Sequence, residues 1–362
     1  MKTWLFGTTL VLAVVWGCLA WEPSPAAAGE VASGAEFKVL APIRQGNLTV
    51  FPVVVANNHD TRDFLTLDEG LRSGDVVVTE SGSVQPLIRR RNRPVPIHEG
   101  AQVNQLVLIN NSKRPLLLLA GEIVTGGKQD RVIGKDRIVP AESEPVDLGV
   151  FCVEPGRWVA KSANFGALGG NMAAPSVRLR AMKDKDQQQV WNSVRSAQTS
   201  VAAQLSSSQS VAVEATSSYA QVMDNAEVKQ KLDAVAAPIE RDYSKLIREL
   251  RDRNAVGVVV AVDGEIIWAD IFASSQLLEK YWPKLVRSYA TEALVSRASE
   301  REVSLKSAQA FADRLDGNRE MVEREPGLYR HTEISGDGYK VFMLASLLPK
   351  MDFNVHIAKM AE

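Results

Sequence analysis

The spacing of apolar residues changes once along this chain, and that change limits what it can fold into. From Phe37 to Trp158 apolar residues come in short runs rich in Val, Ile and Leu, separated by Gly, Pro, Asn and Asp. Such runs read as strands at close spacing, which is the pattern of a sandwich or barrel. Leu48–Val55, Gly74–Thr79, Gln105–Ile109, Leu116–Ala120, Arg137–Val139 and Val146–Val153 are the expected strands, and Phe64–Leu71 has room for a turn or two of helix. Past Val177 the period becomes helical. Asp184–Leu205 reads as one helix. Asn225–Arg253 places Leu232, Val235, Ile239, Tyr243, Leu246, Ile247 and Leu250 on one stripe, with Pro238 expected to kink or split it.

The second half then returns to strands. Ala255–Val262 and Glu265–Phe272 flank Asp263-Gly264, a dipeptide suited to a type I′ turn because both central residues need positive φ. Ser274 or Ser275 can cap a helix through Arg297, and Ser304–Leu315 is a shorter helix ended by Gly317. Leu328–Ile334, Tyr339–Leu347 and Phe353–Ile357 read as three further strands. The expected fold class is therefore α+β: a β-rich N-terminal barrel or sandwich, cupin-like in one version, packed with a C-terminal half of helices and antiparallel hairpins. The expected divisions are 29–160 for the β-rich half, 161–181 for a Gly- and Ala-rich connecting loop and 182–362 for the α+β half, together one unit.

Residues 1–28 read as a signal peptide. Lys2 precedes a charge-free run from Trp4 to Ala20, and Ala26-Ala27-Ala28 offers the cleavage pattern, leaving Gly29 as the new N-terminus. This implies an exported protein, periplasmic or secreted. Val15-Trp16-Gly17-Cys18 is the competing lipobox, which would put a lipid anchor on Cys18. Cys18 and Cys152 are the only cysteines, so the cleaved chain keeps one thiol and forms no internal disulfide. Cys152 lies in an apolar run and is expected to be a buried, unreactive thiol. The net charge of -1 supplies no field to draw nucleic acid or anionic lipid. The one basic run, Arg89-Arg90-Arg91-Asn92-Arg93, is bracketed by Pro86, Pro94 and Pro96 and reads as an exposed loop.

Polar residues cluster at the ends of apolar runs between Leu116 and Trp158. Glu122 follows the Leu116–Leu119 run. Gly126-Gly127-Lys128-Gln129-Asp130-Arg131 combines two glycines with donors suited to phosphate, carboxylate or carbonyl oxygens. Cys152-Val153-Glu154-Pro155-Gly156-Arg157-Trp158 closes the segment. Glu122, Gly126, Gly127, Lys128, Gln129, Arg131, Glu154 and Arg157 are therefore the candidate ligand-binding residues, with Glu122 or Glu154 expected to pair with Arg157. The leading expectation is a protein that binds a small anionic or nucleotide-like molecule. A hydrolase using Glu122 and Glu154 as acid and base is the second, and a scaffold without a pocket the third. His59, His98, His331 and His356 are scattered, with neither HExxH nor CxxC, so no metal site is expected. No cofactor is expected either. The chain lacks G-x-S-x-G, G-x-G-x-x-G and GxxxxGK[ST].

The runs GEIVTGGKQDR, IVPAES and CVEPGRW, with the later GVVVAVDGEIIWADIF and YWPKLVRSYATEAL, resemble an uncharacterised family, the ADP-ribosylglycohydrolase- and rhodanese-phosphatase-superfamily-associated protein domain family. The resemblance spans roughly Phe37 to Met360. It implies a link to ADP-ribose or nucleotide metabolism and carries over no catalytic residue. The family commonly shows a GxKQNR-like run, and Asp130 stands here where Asn is usual.

Overall fold

A computed structural model describes residues 37–83, 101–250, 253–296 and 301–362. The segment expected to be a signal peptide, its competing lipobox reading and the Arg89–Arg93 run lie outside the described residues. In chain order the first half contains β1 (Lys38–Val39), β2 (Ile43–Gln45), β3 (Leu48–Val55), β4 (Leu65–Thr66), α1 (Leu67–Ser73), β5 (Val76–Glu80), β6 (Gln105–Asn110), β7 (Leu116–Leu118), β8 (Glu122–Thr125), β9 (Arg131–Ile133), β10 (Arg137–Val139), β11 (Val146–Cys152) and β12 (Gly166–Met172). The second half contains α2 (Pro175–Leu179), running into a π-turn over Arg180–Asp184, then α3 (Gln187–Ala202), α4 (Ser207–Glu214), α5 (Tyr219–Asp224), α6 (Ala226–Glu249), β13 (Asn254–Val262), β14 (Glu265–Phe272), α7 (Ser275–Val295), α8 (Leu305–Asp313), β15 (Asn318–Glu325), β16 (Tyr329–Gly336), β17 (Tyr339–Leu348) and β18 (Met351–Ala361).

The fold is α+β, built on antiparallel sheets. Six strands in the order β12-β8-β9-β11-β6-β5 curl into a half-barrel. Its two edges meet where Phe165 N donates to Val78 O (2.9 Å) and Thr79 Oγ1 to Ala163 O (3.0 Å). Val78, Leu106, Leu108, Val124, Ile133, Leu148, Val150 and Phe165 fill the inside. The small sheet β10-β7-β4 adds Leu65, Leu116, Leu118 and Val139 to the same interior. Strand alternation sends Ile123 and Val132 the other way, into the main core.

The larger sheet has nine strands, in the order β1-β3-β13-β14-β18-β17-β16-β15 with β2 on β3. β3 of the first half pairs with β13 of the second along its whole length, so the halves share one sheet. The described residues fall in one compact unit. α7 packs between this sheet and the half-barrel. Its N-cap is Ser274, whose hydroxyl accepts from Leu277 N (3.1 Å).

Two local expectations are corrected. The Gly- and Ala-rich stretch expected to be a connecting loop contains strand β12, paired with β8. Poverty in large side chains argued against a core strand. β12, however, is an edge strand held by its backbone ladder, and only Leu168 and Met172 of it enter the core. Pro238 does not split α6, which runs unbroken from Ala226 to Glu249. Asn225 caps it, accepting from Glu227 N and Val228 N, and burial of Leu232, Ile239 and Tyr243 offsets the one lost backbone donor. No described helix is long and apolar enough to cross a membrane.

A candidate functional site at the rim of the half-barrel

The antiparallel order places several chain segments at one rim. β5 ends there with Glu80, β8 and β9 turn through Gly126–Asp130, β11 runs out into Val153 and Glu154, and β12 begins just past Lys161–Asn164. Seven of the eight candidate residues gather at this rim. Gly126 and Gly127 make the tight β8–β9 turn at φ 129° and 45°, conformations that side-chain-bearing residues avoid.

Arg157 clasps that turn. Its Nη1 donates to Gly127 O (2.6 Å) and Val159 O (2.7 Å), and Nη2 to Gly126 O (3.2 Å) and Asp130 Oδ1 (3.3 Å). Its Nε donates to Glu154 Oε2 (2.8 Å). Every nitrogen of the guanidinium is thereby engaged within the protein. Glu154 Oε2 also accepts from Asp130 N (3.1 Å), and its Oε1 from Lys161 Nζ (3.2 Å). Burial works to raise the Glu154 pKa, but Arg157, Asp130 N and Lys161 outweigh it and hold the carboxyl below its ordinary range. For Asp130 burial wins, helped by the Glu154 charge, and that carboxyl sits above its ordinary range. It accepts from Gly126 N (3.0 Å) and Ser218 Oγ (3.1 Å) as well as from Arg157, so the carboxylate serves as a three-donor acceptor.

Below the clasp lies Arg131. Two residues from the inward-facing Ile133, it points into the end of the half-barrel and is fully buried. Nε donates to Val103 O (2.8 Å) and Nη1 to Asp130 O (3.4 Å), whereas Nη2 has no partner. Burial lowers its pKa, countered by Cys152 and Glu80 nearby. Glu80 accepts from Lys128 N through Oε1 (2.8 Å) and leaves Oε2 without a partner. Ser81 Oγ and Gln129 Oε1 are likewise buried and unpartnered, although Gln129 Nε2 donates to Glu154 O (3.1 Å). Lys128 reaches outward, its Nζ 4.9 Å from the ring centroid of Trp158, which is 44% exposed.

Of the two carboxylates expected to pair with Arg157, Glu154 does so and Glu122 lies elsewhere. Glu122 opens β8, at the opposite end from the glycine turn. There it accepts from Leu119 N (2.8 Å) and Lys284 Nζ (2.7 Å), and Lys284 also pairs with Asp68 (2.6 Å). Burial raises the Glu122 pKa, while the two carboxylates keep Lys284 charged. At about 3.3 Å per strand residue, β8 alone separates Glu122 from the Glu154 cluster by roughly 13 Å. That exceeds the roughly 5–10 Å over which paired carboxylates act on one glycosidic bond.

Sequence reasoning missed Glu80, Ser81, Lys161 and Ser218 at the rim. It also missed a second polar network, wholly buried between the sheets. Arg178 forks onto Asp270 (2.8 and 2.9 Å) and lies 4.4 Å from the Trp268 ring centroid. Tyr289 donates its hydroxyl to Asp270. His356 Nδ1 meets Asp136 Oδ2 at 2.6 Å, and its Nε2 stands 3.2 Å from Asp270 Oδ1. The available signal was a charge inside an apolar run, as in IIWADIF and NVHIAKM. No group of three His, Cys, Asp or Glu side chains suited to a metal ion occurs among the described residues.

Fold and rim together define a class: an α+β protein in which a half-barrel, its end closed over a buried arginine, is fused to a wide antiparallel sheet. The chain belongs to the ARG and Rhodanese-Phosphatase-superfamily-associated Protein domain family, whose model matches residues 36–358. No curated protein and no solved structure matches it.

Proposed function

We propose that the chain is exported and binds a small anionic molecule, nucleotide-like in carrying phosphate, at the rim of the half-barrel. One observation carries this reading. Arg131 Nη2, a charged donor with no partner, shares the rim with three unpartnered buried acceptors, Glu80 Oε2, Ser81 Oγ and Gln129 Oε1. A buried polar atom left unpaired costs about 1–3 kcal/mol, so an arrangement keeping several at one rim is best accounted for by an occupant. Arg131 suits a phosphate or carboxylate oxygen, and Glu80, Ser81 and Gln129 suit hydroxyl or amine donors beside it. Arg157 does not enter the reading as a ligand contact, because its donors are spent on the turn.

The test is isothermal titration calorimetry of the purified chain with ADP-ribose, AMP and inorganic phosphate. At least one should bind with Kd below about 1 mM. Gln129→Ala should weaken that binding about tenfold, with a stability loss of about 1 kcal/mol from its hydrogen bond to Glu154 O. Absence of binding by all three, or an unchanged Kd in Gln129→Ala, removes the proposal.

A further inference from the structure

A cleft of about 600 Å³ opens away from the rim, between α2, α3, the start of β14 and the end of α7. The volume is in the range of small-molecule sites. Its α3 wall is Gln189, Asn192, Ser193 and Ser196, spaced i, i+3, i+4 and i+7 along one face. Its floor is apolar, with Leu179, Ile267 and Trp268. Trp268 is only 1% exposed, and its indole Nε1–H has no acceptor.

The charges lining the cleft are mostly cancelled within the protein. Arg180 pairs with Asp184 (2.8 Å), Glu265 with Arg301 (3.0 Å) and Glu362 with Lys183 (2.8 Å). The remaining lining carboxyl, Glu292, accepts from Ser176 N (2.8 Å), and burial raises its pKa. Arg180, Glu265 and Glu362 each have a partner of opposite sign, so no lining charge dominates the cleft. It offers hydroxyls and carboxamides, each able to donate and accept, above an apolar floor.

We infer that this cleft is a second binding site, separate from the rim, for a neutral hydroxyl-rich ligand of the saccharide class. Sugar hydroxyls match the Ser and Asn/Gln wall, and the C–H faces of a sugar ring cover Leu179 and Ile267. The inference does not depend on the rim reading.

It is tested by calorimetric titration of the same chain with maltose and N-acetylglucosamine, with putrescine and inorganic phosphate as cationic and anionic probes. One of the two sugars is expected to bind with Kd below about 1 mM. Ser193→Leu, which fills the cleft, and Asn192→Ala, at an exposed wall position, should each weaken it at least tenfold. Gln129→Ala at the rim should leave it unchanged. If Ser193→Leu lowers the melting temperature, Asn192→Ala decides. Binding of neither sugar, binding of putrescine or phosphate alone, or wild-type sugar affinity in Asn192→Ala overturns the inference.

Discussion

Arg157 shows how one residue type can suggest a ligand contact and serve instead as a clasp. Its five contacts join the β8–β9 turn to Glu154 and the chain beyond it. Arg157→Ala should therefore destabilise the fold, leaving Glu154 and Asp130 short of a donor and the Gly126 and Val159 carbonyls open, while Gly127 O keeps Lys161 N. Breaking a fully buried ion pair costs about 3–5 kcal/mol. The side chain here is 15% exposed, so a loss of about 2–3 kcal/mol in urea denaturation is expected. Arg157→Lys should recover only part of it, since an ammonium cannot span carbonyls and carboxylate together. A stability within about 0.5 kcal/mol of wild type would show that the clasp is dispensable. Cys152 makes the opposite kind of prediction. Its thiol has no exposed surface, and burial pushes its pKa up. A thiol reagent at neutral pH should label it only as the protein unfolds, and rapid labelling of the native chain would contradict this burial.

At the scale of elements, the Asp263-Gly264 hairpin is the most fully legible piece. Both residues have positive φ, 55° and 76°, as the turn type demands. Gly264→Val would put a β-branched residue in that region with its Cβ 2.5 Å from the carbonyl oxygen of Arg301. A loss of about 2 kcal/mol or more in thermal or urea unfolding is expected, and a neutral effect would contradict the turn. Strong patterning made β3, β11, α3, α6 and α7 readable, because each buries a face of regular period. β8, β9 and β12 were not readable as strands. The first two are too short to show alternation, and β12 is mostly glycine and small residues. β15 was missed because NREMVERE is almost wholly exposed, so its pairing with β16 rests on backbone bonds that leave no hydrophobic signature. The candidate site followed the same logic. Polar residues clustered at run ends did mark the rim, but which of them face inward depends on strand alternation within β5 and β9. Glu122 was misassigned because a four-residue strand, invisible as such, carries it to the other end.

Across the whole molecule, the Asp136–His356–Asp270–Arg178 network ties the parts together. Asp136 follows β9 at the half-barrel, His356 and Asp270 lie on neighbouring strands of the large sheet, and Arg178 comes from α2. Two anions and two cations balance, provided His356 is protonated. Burial alone would lower its pKa, but Asp136 and then Asp270 hold it up at about 9, against about 6.5 in an unfolded chain. The sign follows from linkage. A group whose folded pKa is raised contributes stability that is complete below pH 6.5 and is lost as pH rises through 9. A rise of that size corresponds to something on the order of 3 kcal/mol. Lys359 works against this trend, because burial lowers its pKa to about 7 and the folded chain then gains stability as pH rises above that. The difference between wild type and His356→Gln separates the two. Urea unfolding at pH 6 should show the wild type more stable by a few kcal/mol, and the gap should narrow steadily between pH 7 and pH 10. A gap that stays constant across that range would mean that His356 is neutral in the folded protein, and that the junction between the sheets is held by Arg178 and Asp270 without it.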